Sequence, residues 1–409
     1  MDQLIERCCG LDVHRDTVAA CVRVPGPNGK RQQEVRTFGT TTAELLALRD
    51  WLEAHRVTHV AMESTGVYWK PVFYVLEEAF TCLLVNATHI KQVPGRKTDI
   101  KDCVWIAQCL ECGLLRGSFV PPAPIRELRD LTRYRKVLIQ DRTRAANRLH
   151  KLLQDAGIKL ASVATNILGV SGRAMLQALV DGTTDPQVLA DLARGRLRKK
   201  LPALRQALAG RFRPHHAFLV SQLLSDVDYL EEAIELVSEE VDRRLAPFAR
   251  PLAQLDTIPG VDKRTAQVLI AELGVDMSFF PSDAHLASWA ALCPGNNESA
   301  GKHRSGKTRG GNRWLRTTLV EAAWAATRVE NSALAARYRR VMRHRGHQKA
   351  LIAVAHAMLR AIYHLLSNGT TFREPGADYY DRRHAERVRR RAIQMLERQG
   401  YRVVLEPAA

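Results

Sequence analysis

Over the first 115 residues short apolar runs alternate with amphipathic stretches, a pattern that predicts strands and helices in turn. Ile5 to Asp12 and Thr17 to Val24 read as two strands of a hairpin, and Glu34 to Phe38 as a third. Thr42 to His55 reads as a helix capped by Thr41 or Thr42, with Leu45, Leu46, Leu48 and Leu52 on its apolar side. His59 to Met62 is a short apolar strand ending at Glu63. Tyr68 to Ala79 is helical, Cys82 to Asn86 a further strand, and Asp99 to Leu115 a helix. This β-β-β-α-β-α-β-α series predicts a mixed sheet flanked by helices.

Val120-Pro121-Pro122-Ala123-Pro124 breaks the pattern and marks a boundary. Beyond it, apolar residues recur at 125, 128, 131, 134, 138, 145, 149 and 152. The period is near 3.5, so Ile125 to Ala156 is expected to be one long helix of coiled-coil or helical-hairpin type. A Gly- and Asp-bearing stretch near 169–186 interrupts the helices, and His216 to Val241 is the expected returning arm. Pro247 and Pro251 mark the next boundary. The expected organisation is α/β plus all-α: a mixed-sheet domain over 1–120, a basic helical or coiled-coil region over 121–250, a compact helical domain over 251–370, and a basic tail over 371–409.

Charge narrows the partners. The chain carries 61 Lys+Arg against 43 Asp+Glu, a formal charge of +18 and a pI near 9.9, which favours a polyanion. The cations recur along several segments rather than in one juxtamembrane cluster, so nucleic acid leads. Nine Lys or Arg residues lie between Arg126 and Lys151 against three acids, and Arg142, Arg144 and Arg148 among them are candidate nucleic-acid contacts. The longest apolar stretch, Ala350 to Leu366, is interrupted by His356, Arg360 and His364 and reads as a buried amphipathic helix, not a membrane span. MDQLIERCCGLDVHRD at the N-terminus has no apolar core of a signal peptide. With eight cysteines, this points to free thiols in a reducing cytoplasm, at the nucleoid if DNA is the partner. Cys109 and Cys112 form a CxxC without a second ligand pair, inside an apolar helical pattern where Cys acts as a small hydrophobe.

Four acids in the first domain form an ordered set. Asp12 closes the first strand, Glu63 closes a later one, and Asp99 and Asp102 lie three apart at a helix start, on one helix face. Acids at strand ends project from one sheet edge, where α/β sites form. Together they suit two Mg²⁺ ions, since hard cations prefer carboxylate oxygens and a metal pair stabilises attacking and leaving oxygens in phosphoryl transfer. Singly, each also has a plain role as a turn residue or a complement to the helix dipole.

A second feature lies at Leu292–Leu315. It is glycine-rich, carries Ser299 and Ser305, and from Ser299 to Val320 has six cations (Lys302, Arg304, Lys307, Arg309, Arg313, Arg316) and no acid. Such a segment could cradle a phosphodiester and offer it a hydroxyl.

The segments Gly10-Leu11-Asp12-Val13-His14, Met62-Glu63-Ser64-Thr65-Gly66 and Lys97-Thr98-Asp99-Ile100-Lys101-Asp102 resemble the DEDD segments of RuvC-like transposases. The family is insertion-sequence family one-ten, the bridge-RNA-guided recombinases. In the C-terminal half, Ile258-Pro259-Gly260-Val261, Thr265-Ala266 and Ala271-Glu272-Leu273-Gly274 resemble the family's second domain. So do Leu286 to Pro294, Ser299-Ala300-Gly301-Lys302 and Gly311-Asn312-Arg313-Trp314-Leu315-Arg316. The resemblance runs in order over most of residues 5–365. It implies a RuvC/RNase H-like domain with Asp12, Glu63, Asp99 and Asp102 on Mg²⁺, and a helical transposase domain whose serine is the recombination nucleophile. Ser299 matches that serine; the family usually has Ser-Gly-Gly where this chain has Ser-Ala-Gly, and Ala300 narrows the allowed backbone. Ser305 is the rival by local chemistry. The implied partners are donor and target duplex DNA, a structured noncoding guide RNA that pairs with both, and further copies of the chain in a dimer or tetramer.

Two readings stay open at Ile258-Pro259-Gly260-Val261: a helix-hairpin-helix turn that grips phosphate, or a turn that packs two helices, since Asp262 stands where the second glycine is usual. Trp289, Trp314 and Trp324 could stack on bases, but helical spacing favours core burial for Trp314 and Trp324. Two rival functions use the same residues differently. A junction resolvase would need only the four carboxylates and water, and an inert nucleic-acid-binding derivative would need neither carboxylates nor serine.

Overall fold

The computed structural model describes residues 4–404 except 27–29, 65, 87–89, 91–92, 94–100, 296, 300–301, 306–307 and 309. The chain falls into two compact units, Met1–Val120 and Pro121–Ala409, divided at the proline-rich stretch.

The first unit is built on a sheet of order β3-β2-β1-β4-β5, with β1 Cys8–Val13, β2 Thr17–Pro25, β3 Arg31–Gly39, β4 His59–Glu63 and β5 Thr81–Val85. β1, β2 and β3 form an antiparallel meander, while β4 and β5 continue parallel to β1. Among the described residues three helices accompany them: α1 Thr42–Ala54, capped by the Thr41 side chain, α2 Trp69–Leu76 and α3 Asp102–Glu111. Strand side chains alternate between faces. Cys9, Leu11 and Val13 enter the core that holds Leu48, Leu52, Val72 and Leu76 of α1 and α2. Cys8 and Ala61 enter the opposite core with Ile106, Cys109 and Leu110 of α3. Thus Cys109 of the CxxC is packing material, and its burial pushes the thiol up to about 11.

Several boundaries differ from expectation: β3 begins at Arg31 rather than Glu34, and α2 ends at Leu76 rather than Ala79. β1 starts at Cys8 rather than Ile5, because the Leu4 and Ile5 N–H groups donate to Glu111 O at the end of α3 instead of to a neighbouring strand. α3 ends at Glu111 rather than Leu115, where Gly113 turns the chain with φ +66.

Gly10 brings α3 down onto β1. A Cβ at Gly10 would overlap the backbone of Ala107 and Cys103. Gly10→Ala should therefore lift α3 and cost about 1–3 kcal/mol or more in stability, as overpacking does. A urea transition of the variant checks this; an unchanged midpoint would show that α3 is not seated by close backbone contact.

The second unit is helical. α4 Ala123–Asp155 and α9 Pro214–Leu245 run antiparallel, as the pairings Glu127–Arg244, Arg142–Glu231 and Asp155–His216 require. At about 1.5 Å per residue each spans about 50 Å. Between them lie α5 Leu160–Val163, α6 Val170–Val180, α7 Pro186–Asp191, a 3₁₀ turn at Gly195–Lys200, and α8 Leu201–Leu208. They pack around Leu149, Leu153, Val220 and Leu224 at one end of the hairpin. The stretch near 169–186 is thus largely helix, not an interruption. Gly172 acts there as a packing residue, since a Cβ would overlap the Ile167 backbone.

The buried seam of α4 also departs from the expected one: Thr132 and Arg135 are buried where Leu131 and Tyr134 were expected, and Tyr134 is exposed. At this level α4 packs against both α9 and α11 Lys263–Leu273, so two partners set the buried face.

Beyond a 3₁₀ turn at Ala246–Phe248, α10 Ala249–Asp256 leads into α11, then α12 Asp283–Trp289. Pro247 and Pro251 sit in the turn and in the first turn of α10. A two-stranded hairpin, β6 Asn297–Ser299 and β7 Lys302–Ser305, precedes α13 Arg313–Ala326, α14 Ala333–Arg345, α15 His347–Asn368 and α16 Tyr379–Arg398. Among the described residues α15 alone is long and apolar enough to cross a membrane. Its residues Ala350, Val354, Ala355, Met358, Leu359 and Ile362 are buried, and it packs against α10, α12, α13 and α14 as a core helix. Gly260, at φ +84, faces α13 so closely that a Cβ would overlap Ala322 O and the Ala326 backbone. The Ile258-Pro259-Gly260-Val261 turn therefore packs helices. Trp324 contradicts the burial expected of it: it is 41% exposed, because the buried face of α13 runs through Leu315, Leu319, Ala322, Ala323 and Ala326.

Candidate active site

Asp12 and Glu63 end adjacent parallel strands. β1 and β4 pair Gly10 with Ala61 and Leu11 with Met62, so one residue further on Asp12 and Glu63 stand side by side at the carboxyl edge. Parity places both on the α3 face, because Leu11 and Met62 enter the opposite core. Asp102 opens α3, the helix that lies on that face. The Cys103 thiol next to it is pushed up by burial and then by the charge of Asp12, so Asp12 lies near the first turn of α3. Sheet register and Gly10 thus gather three of the four expected carboxylates at one edge. Asp99 lies outside the described residues. The Asp12 side chain is 23% exposed and pairs with His14, two residues further along the chain, at 3.2 Å.

These are hard oxygen donors at a solvent-accessible strand edge, which is the donor chemistry a divalent cation such as Mg²⁺ takes. A different group, Asp155, His215 and His216, brings potential ligand atoms within 4.8 Å of one another. There His216 Nδ1 accepts from the Arg213 N–H at 3.1 Å and Nε2 lies 3.1 Å from Asp155. Both ring nitrogens are thereby spent on capping α9 and joining it to α4.

The serine segment is a hairpin rather than a glycine-rich loop. Ser299 pairs with Lys302, where the two strands are closest in sequence, while Ser305 pairs with Asn297 nearer the base. Glu298 and His303 stand opposite one another, and Pro294 bridges Thr308 below them. Lys302 and Arg304 lie on β7; Lys307 and Arg309 fall outside the described residues.

The base of the hairpin is anchored on both sides. Leu292 is buried, and Ala291 takes a positive φ of 52 where helix α12 ends. On the other side, the Asn312 side chain accepts from the Trp314 and Leu315 N–H groups and caps α13. Its Nδ2 donates to Glu272 Oε2 at 2.5 Å. Glu272 is fully buried, and Arg133 of α4 donates to both its oxygens at 2.8 Å. Arg129 lies 3.3 Å from the same carboxylate and donates to the Ala271 and Glu272 carbonyls that end α11. One buried carboxylate thus ties α4, α11 and the foot of the serine hairpin together. In the sequence Glu272 stands as the acid of Ala271-Glu272-Leu273-Gly274. The signal for it was an acid set among apolar residues on a buried helix face.

Of the remaining expected nucleic-acid contacts, Arg313 and Arg316 lie in the first turn of α13, with the Arg313 guanidinium 4.9 Å from the Trp314 ring. Arg142 is held by Glu231 at 2.8 Å across the long hairpin, and Arg144 pairs with Asp141. Arg142 is therefore a clasp between α4 and α9, because its half-buried position faces an acid of the partner helix. Arg148 borders an open cavity of about 260 Å³ with Arg144, Asp226 and Tyr229.

Comparison with known proteins finds two family matches along the chain, the first of which runs past the division at residue 120. Residues 9–158 match the IS110-type DEDD transposase model, described as transposase, and residues 252–339 match that of the transposase IS116/IS110/IS902 family. The two matches take in more than half of the chain. An uncharacterized 43.6 kDa protein of insertion element IS110 from Streptomyces coelicolor is 28% identical over 68% of this chain and 73% of its own length. A transposase for insertion sequence element IS1111A from Coxiella burnetii is 24% identical over 78% of this chain and 80% of its own. On these matches the chain belongs to the IS110 family of insertion-sequence transposases and is a DNA-processing enzyme.

Proposed function

We propose that this transposase cuts and rejoins DNA with Ser299 as nucleophile and with Asp12, Glu63, Asp99 and Asp102 as ligands of Mg²⁺. The observation that carries the reading is the gathering of Asp12, Glu63 and Asp102 at one sheet edge, in a chain that places Ser299 at the end of strand β6. A divalent cation at the carboxylates supplies charge neutralisation of the phosphodiester as it reacts. Ser299 Oγ loses its proton and bonds to phosphorus as the bridging oxygen of the strand departs and is protonated to a hydroxyl end. Attack by a hydroxyl end on the phosphoserine forms the new phosphodiester and restores the serine. The covalent link conserves the bond energy that rejoining needs. Arg313, Arg316 and the cations of the hairpin (Lys302, Arg304, Lys307 and Arg309, with Ser305 beside them) hold the backbone, as does Arg148 with its neighbour Arg144.

The reading extends to a structured noncoding guide RNA that pairs with donor and target DNA. A charge of +18 spread along the chain suits an enzyme that holds RNA and duplex DNA by their backbones. Recombination needs several strand cuts, so the working form is a dimer or tetramer, with the α4–α9 hairpin as the pairing element, acting at the nucleoid. The test is a trapped adduct. With DNA carrying the element's ends, a protein–DNA link that survives denaturation should map to Ser299 and vanish in Ser299→Ala. An equally abundant adduct in Ser299→Ala would overturn the assignment and return Ser305 as the candidate.

A further inference from the structure

Outside both candidate sites, α14 carries Arg337, Arg339, Arg340, Arg343, His344 and Arg345 and no acid. Its face formed by Ala336, Arg339, Arg340, Arg343 and His344 lines a cavity of about 570 Å³, closed on the other side by Ala377, Asp378 and Tyr380 at the start of α16. Positions 336, 339, 340 and 343 recur at helical spacing, so one face of the helix presents all these cations together.

Elsewhere in this unit several arginines face acids: Arg142 and Arg173 meet Glu231, Arg244 meets Glu127 and Glu240, and Arg133 meets Glu272. Around this cavity, among the described residues, no ion pair engages Arg339, Arg340, Arg343 or His344. Asp378, the one acid among the described residues of its wall, is paired with Arg382 at 2.9 Å. Arg337 is turned away into the fold, donating to Ala353 O at 3.0 Å and to the Tyr380 hydroxyl at 3.3 Å, which steadies the aromatic wall. A structural role in offsetting the helix dipole accounts for cations in the last turn, Arg343 to Arg345, but not for Arg339 and Arg340 a turn earlier. Arg339, Arg340 and Arg343 thus gather three exposed guanidiniums on one concave surface, which is the chemistry that meets an anion.

We infer that this groove is a nucleic-acid backbone site, in which Arg339, Arg340 and Arg343 contact successive phosphates without reading sequence. The match to the transposase family ends at residue 339, so the groove lies mostly beyond it. The inference rests on nucleic-acid binding alone and not on the assignment of Ser299 or the carboxylates.

The test measures affinity of the full chain for a short duplex DNA and, separately, for an RNA hairpin, across a salt series. Each phosphate contact contributes about 0.9 to the slope of log K against log salt for duplex DNA and about 0.7 for single strands. Replacing the three arginines together (R339A/R340A/R343A) should reduce the duplex slope by about 2.7. Between about 50 and 200 mM salt the variant should then lose roughly 40-fold less affinity than the parent. The triple lysine variant (R339K/R340K/R343K) should keep the parent slope, because lysine retains the charge. A drop confined to DNA assigns the groove to the substrate; one confined to RNA assigns it to a bound transcript. Both are forms of the proposal. Parent slopes for both ligands in a triple alanine variant with an unaltered thermal transition would overturn it, as would a lysine variant as weakened as the alanine one.

Discussion

Asp12→Asn is expected to lower DNA strand cleavage by about 10³-fold or more while leaving the fold intact. Asn has nearly the shape of Asp but lacks the charge that a divalent cation requires. Loss of a metal's transition-state stabilisation is worth several kcal/mol, and about 1.36 kcal/mol corresponds to tenfold in rate. Folding should hardly notice. The carboxylate pairs with the exposed His14, and such a pair is worth at most about 1 kcal/mol. Cleavage of DNA carrying the element's ends, measured beside thermal unfolding, checks both halves. Retained cleavage would remove Asp12 from the chemistry. Lost cleavage in Asp12→Asn with cleavage intact in Ser299→Ala would make water the nucleophile and favour the resolvase reading. Transposition undiminished by the joint loss of Asp12 and Glu63 would favour the inert derivative.

Glu272→Ala should instead act on the fold of the second unit, by about 3–5 kcal/mol, the cost of breaking a buried ion pair from one side. The change leaves Arg133 with two unmet donors, takes a carboxylate from Arg129, and frees the Asn312 amide at the foot of the serine hairpin. Part of the loss falls on the α13 cap that Asn312 forms, and a cap is worth about 1 kcal/mol. The urea midpoint for the second unit should fall with little change in slope. A loss below about 1 kcal/mol would show that the cluster contributes nothing net and that the hairpin base is held by Leu292 and Ala291 alone.

Much of the first unit was legible because its elements are short and bounded. Short apolar runs marked β2 and β4, Thr41 marked the start of α1, and the proline run marked the division at residue 120. The long helices α4 and α9 were legible from their period, although Thr132 and Arg135 in the seam were not. A polar residue is buried only when neighbours on other elements satisfy it, and sequence spacing carries no record of those neighbours. The same reasoning explains α6, whose glycine looked like a breaker until its close contact with Ile167 gave it a packing role.

The residue types of the candidate site were set by the sequence alone: four acids in order, a serine in a basic glycine-bearing segment, and an excess of cations. Their identity limits the chemistry to oxygen-ligated cations, a hydroxyl and phosphate binding. Tertiary structure decided which of these groups share a surface. Parallel pairing of β1 with β4 put Asp12 beside Glu63, and Gly10 let α3 bring Asp102 to the same face. It also decided which cations are already engaged, as Arg142 and Arg133 are, and which face open solvent, as those of α14 do. The reason is physical: a charge is available to a ligand only if folding has not supplied it with a counter-charge, and those counter-charges come from elements distant in the chain.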